Sequence, residues 1–76
     1  MNLILADNMR QGREIMSSCN LQESECAVLN QASYWDHVKL QPKEIVYAHA
    51  NASSKLFVKF KTLEGADKVN LKIITP

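Results

Sequence analysis

Between Lys55 and Leu63 the chain alternates. Leu56, Val58 and Phe60 are apolar, and Lys55, Phe57, Lys59 and Lys61 stand between them. A period of two is the pattern of a strand with one face on a core and the other in water. It is the clearest periodic signal in the chain, so the other segments are read as strands that pair with this one or helices that cover it.

The chain in order then predicts two helices followed by three strands. Residues 2–5 carry the short apolar run Leu3, Ile4, Leu5, a minor strand or the lead-in to a helix. Asp7 or Asn8 is placed to cap that helix, whose apolar face runs Leu5, Met9, Gly12, Met16, Cys19. Gly12 within it costs about 1 kcal/mol relative to Ala and implies close approach of another element. Asn20 and Glu23 read as a capping box opening a second helix, which ends near His37 or Val38 and turns Val28, Ala32 and Trp35 inward. Residues 44–50 predict a first strand, with Ile45, Tyr47 and His49 on one side and Val46 and Ala48 on the other. Residues 51–54 have hairpin-loop composition, and residues 64–67 a turn in which Gly65 can take a positive φ. Residues 68–75 predict the last strand, with Val69, Leu71 and Ile73 inward and Lys68, Asn70 and Lys72 outward. The short loops imply an antiparallel meander, and the whole reads as one α+β domain over residues 1–76, two helices on a three-stranded antiparallel sheet in two layers (ααβββ).

Composition fits a folded domain: 46% hydrophobic and 22% charged over 76 residues. A chain of this size buries only about 60% of the surface it exposes when unfolded, which favours help from a partner subunit. No Lys or Arg precedes Leu3 and no apolar run is long enough to span a bilayer, so the expected location is cytoplasmic. Charge is unevenly spread. Up to residue 41, Arg10, Arg13 and Lys39 stand against Asp7, Glu14, Glu23, Glu25 and Asp36; beyond it, six lysines stand against Glu44, Glu64 and Asp67. The amino-terminal half is therefore acidic and the carboxy-terminal half basic, a pattern that points to a charged partner.

That basic half carries the alternative reading of function. On a sheet, Lys55, Lys59, Lys61, Lys68 and Lys72 would share one face with Phe57, and lysines that track phosphates beside a stacking aromatic form a nucleic-acid platform. A single exposed aromatic is fewer than such platforms carry. A helix-turn-helix is disfavoured because the second predicted helix bears Glu23, Glu25 and Asp36, which repel phosphate. Cys19 and Cys26, with His37 and His49, lack zinc-finger spacing, so no metal or other cofactor is expected, and a disulfide does not suit a cytosolic chain. His37, His49, Asp36 and Glu44 accompany no nucleophile motif or phosphate loop, so no catalytic residue is assigned and the chain is read as non-catalytic.

The favoured expectation is a small regulatory or inhibitory protein that acts by protein–protein contact. Tyr34, Trp35, His37 and Tyr47 supply the interface-type side chains. An edge strand of the sheet invites either a homodimer or strand addition to a partner protein. Stand-alone domains of this size occur among phage- and plasmid-encoded modulators of host machinery, an analogy of size class alone.

Overall fold

The computed structural model describes residues 2–76. The elements alternate: β1 (Asn2–Leu5), α1 (Met9–Ser18), β2 (Cys26–Leu29), β3 (Ile45–His49), α2 (Ser54–Lys61) and β4 (Asn70–Ile74), with single 3-10 turns at Glu23–Glu25 and Ala66–Lys68. The strands form one sheet in the order β2-β1-β3-β4, and all three ladders are parallel. This overturns the antiparallel ααβββ meander.

The difference begins at residues 55–63. Residues 55–61 lie in helix α2 and Thr62 caps it, because the same stretch also carries a helical period: Leu56, Phe60 and Leu63 recur at i, i+4 and i+7. Phe60 is 2% exposed, whereas Val58, which a strand would turn to the same side, is 65% exposed. Ser53 enters the helix in extended conformation, and Lys59 and Lys61 in the last turn suit its negative pole. Once a helix separates β3 from β4, the two strands are joined by a crossover rather than a hairpin and must run parallel.

The second predicted helix is also absent. Cys26, Ala27, Val28 and Leu29 form β2, and residues 30–44 cross to β3 without an α-helix. A short apolar run bounded by turn residues suits a buried parallel strand as well as a helix segment. Asn30 sets the boundary: its side-chain oxygen accepts from the Ala32 N–H, and its own N–H donates to Ser33 Oγ. The minor strand at residues 2–5 forms, but at the centre of the sheet. Asn8 caps α1 by accepting from the Gln11 N–H, and Gly65 takes φ 84°.

Alternation along the central strands divides the core into two layers. Ile4 and Ala6 pack with Ile15 and Met16 of α1. Leu5, Val46 and Ala48 face the other way and pack with Leu56 and Phe60 of α2, with Leu29 and with Trp35 from the long connection. Right-handed crossovers that move outward in opposite directions from the β1–β3 pair come off opposite faces of the sheet, which is where α1 and α2 lie. At Gly12, α1 lies close against Val28 of β2. A Cβ there would sit 2.9 Å from Val28 Cγ2, so the glycine sets the depth of packing against β2.

Candidate functional site

The carboxyl ends of β1 and β3 form the switch point of the sheet, the place where parallel α/β sheets ordinarily bind ligands. Here it is occupied by the protein's own bonds. Both Asp7 carboxylate oxygens accept from the Ser53 N–H, at 3.1 and 3.0 Å, so a negative side chain already sits at the start of α2. Gln11 Oε1 accepts from the Asp7 N–H at 2.8 Å. Gln31 Nε2 donates to Ser53 Oγ at 2.8 Å and ties the end of β2 to the same corner. The remaining hollow, about 300 Å³ between Asp7, Asn30, Gln31, Ala32 and Ser53, is open and shallow.

His49 is buried at the end of β3. Its Nδ1 accepts from the Asn51 N–H at 3.0 Å, which places the proton of a neutral ring on Nε2, where it donates to Glu14 Oε1 at 3.1 Å. Both ring nitrogens are thus engaged, and the pair pins β3 to α1. Among the described residues no cluster of His, Cys, Asp and Glu is arranged to hold a metal ion, and Cys19 and Cys26 are free thiols.

The expected lysine platform is not assembled. Lys55, Lys59 and Lys61 lie on α2, Lys68 on the 3-10 turn after it, and Lys72 on β4. Lys59 is fixed internally: Nζ donates to the Gln31 carbonyl at 2.9 Å and lies 5.3 Å from the Trp35 ring centroid. Phe57 packs against the α2-side core instead of standing among the lysines. The four aromatic contact candidates also separate. Trp35 is buried, with Nε1 donating to the Asn30 carbonyl at 3.0 Å. Tyr34 is 81% exposed, with its ring 6.3 Å from that of His37. Tyr47 is half-buried and packs on the α1-side core, across the sheet from Trp35.

β4 is an edge strand, and part of its main chain is free to bond outward. The Asn70 N–H donates to the Glu44 carbonyl, and the Ile74 carbonyl accepts from the Ala50 N–H. Asn70, Lys72 and Ile74 therefore turn their main chain towards β3, and Leu71 and Ile73 turn theirs outward. Side chains predicted to face a core are at the surface there: Leu71 is 37% and Ile73 53% exposed. Neither was a candidate contact residue, because an edge strand reads like any other. Alternation identifies a strand but not which neighbours it has.

No protein-family model matches the chain, no curated protein matches it, and no solved structure matches it. The chain combines two helices with an all-parallel four-stranded sheet. No helix among the described residues is long and apolar enough to cross a membrane.

Proposed function

We propose that this is a non-catalytic binding protein that acts by protein–protein contact and takes an extended segment of its partner along β4. The observation that carries the reading is the β4 edge: outward N–H and C=O groups at Leu71 and Ile73, with both side chains exposed beside them. An unpaired edge of this kind is a template for strand addition, in which main-chain bonds supply affinity and alternate side chains supply selectivity. The polar groups at the switch point and both nitrogens of His49 are spent on internal bonds, which supports binding rather than turnover. Occupying a partner's strand is a regulatory act that needs no chemistry.

Charge selects the kind of segment. Lys68 precedes β4, Lys72 lies on it, and Lys43 is joined to Lys68 through the main chain, its N–H donating to the Lys68 carbonyl at 2.8 Å. A segment that alternates aliphatic and acidic residues matches this edge. The probe is a fluorescent peptide of alternating valine and glutamate, titrated by anisotropy. Leu71→Pro removes an outward N–H while leaving the ladder to β3 intact. Salt-sensitive binding by the wild type that is lost in Leu71→Pro supports the reading. No binding at low salt, or equal binding by the variant, overturns it.

A further inference from the structure

The sheet has a second free edge, and it complements the first. At β2 the Leu29 carbonyl accepts from the Ala6 N–H, so Ala27 and Leu29 face β1 and the main chain of Cys26 and Val28 faces outward. The 3-10 turn immediately before β2 carries Glu23 and Glu25. Glu23 lies 3.7 Å from Arg13, whereas Glu25 makes no ion pair among the described residues. The corresponding turn before β4 carries Asp67 and ends in Lys68, and Lys72 follows on the strand itself. The β2 edge is thus acidic at its strand's amino end, and the β4 edge carries Lys68 and Lys72 against Asp67.

We infer that the β4 edge is filled by the β2 edge of a second copy of this chain, in parallel orientation, so that the sheet continues from one molecule into the next. The inference rests on the proposed use of β4 for strand addition and names its occupant. Orientation follows from charge. With strands parallel and Asn70 beside Cys26 of the second copy, the turn that ends in Lys68 meets the turn that carries Glu23 and Glu25 of that copy. An antiparallel approach would carry those glutamates to the far end of β4, beside Thr75 and Pro76, where the chain has no cation. Pairing β4 with a second β4 about a two-fold axis would set Lys72 near its own copy, and like charges across a ladder destabilise it. The acidic and basic edges avoid that repulsion, and a net charge of only +1 adds little between whole molecules.

Such a contact is head-to-tail. Each molecule that docks leaves one acidic and one basic edge free, so association is open-ended instead of stopping at a dimer. A single pair of edge strands makes a small interface, which places the association in the weak, concentration-dependent range.

Sedimentation across a wide concentration series tests this. The wild-type mass average rises from the 8.6 kDa of one chain past twice that value without a plateau, and the rise shrinks with added salt. Glu25→Lys makes both edges basic and Lys68→Glu makes both acidic, so each variant alone stays at the mass of one chain. An equimolar mixture of the two restores association, because each then offers the edge the other needs. Leu71→Pro stays monomeric while keeping the wild-type circular dichroism. A wild-type mass that never exceeds one chain overturns the inference, as does association that survives either charge reversal. A monomer that still binds the valine–glutamate probe overturns the self-pairing alone and leaves the edge reading standing; loss of both removes both.

Discussion

Helix α2 makes opposite demands on two neighbouring side chains, and these can be measured separately. In the helix Leu56 is fully buried and Val58 is 65% exposed; in a strand the two would share a face. Leu56→Ala is expected to cost about 2–5 kcal/mol, the range for a buried leucine that leaves a cavity. Val58→Lys is expected to fall within about 0.5 kcal/mol of wild type, since a surface position has no cavity to open. A domain of this length has a total stability of about 4–11 kcal/mol, so the first change removes a large part of it and the second almost none. The assay is urea unfolding followed by far-ultraviolet circular dichroism. With a slope of about 1–3 kcal/mol per molar urea, Leu56→Ala lowers the midpoint by about 0.7 M or more and Val58→Lys leaves it nearly in place. Were residues 55–63 a strand, the Val58→Lys ammonium would enter the core and cost at least as much as the cavity. Equal midpoints for the two variants would refute the helix and, with it, the parallel order of β3 and β4.

Further expectations concern the contacts that set the frame. Gly12→Ala gains about 1 kcal/mol of helix propensity but drives a Cβ to within 2.9 Å of Val28 Cγ2, and such overpacking costs about 1–3 kcal/mol. The single variant should therefore unfold at lower urea than wild type, and adding Val28→Ala should recover the loss; a more stable single variant would show that α1 can lift freely. Asp7→Ala removes the carboxylate from the Ser53 N–H and from the start of α2, an expected loss of about 1–2 kcal/mol. Asp7→Asn should lose less, since it retains an acceptor, and calorimetry of the two separates the charge from the bond. Trp35→Phe leaves the Asn30 carbonyl without its 3.0 Å donor and weakens the contact with Lys59, for about 1 kcal/mol and a fall in Tm of roughly 4–8 °C. An unchanged Tm would mean that water replaces the indole N–H at no cost.

What could be read from the chain itself was local. The strands at residues 45–49 and 70–74 show in their own alternation, Asn8 shows as a cap from its place before a helical run, and Gly65 as a turn from its freedom at positive φ. Gly12 inside an apolar helical face already implied a close neighbour, though not that the neighbour was Val28. Residues 55–63 satisfy two periods at once, because Leu56 and Phe60 are four apart and four is close to a multiple of both 2.0 and 3.6. Only burial against Val46 and Ala48 decides between them, by leaving Val58 outside. Cys26, Ala27, Val28 and Leu29 are too few to show any period, and they became a strand because β1 was there to pair with them. Direction and position in the sheet followed from those choices. Neither is a property of any one segment, since a strand's own residues fix which faces it has, while its neighbours fix which of its main-chain groups remain free. That is why Leu71 and Ile73 read as core in the sequence and stand at an open edge in the fold.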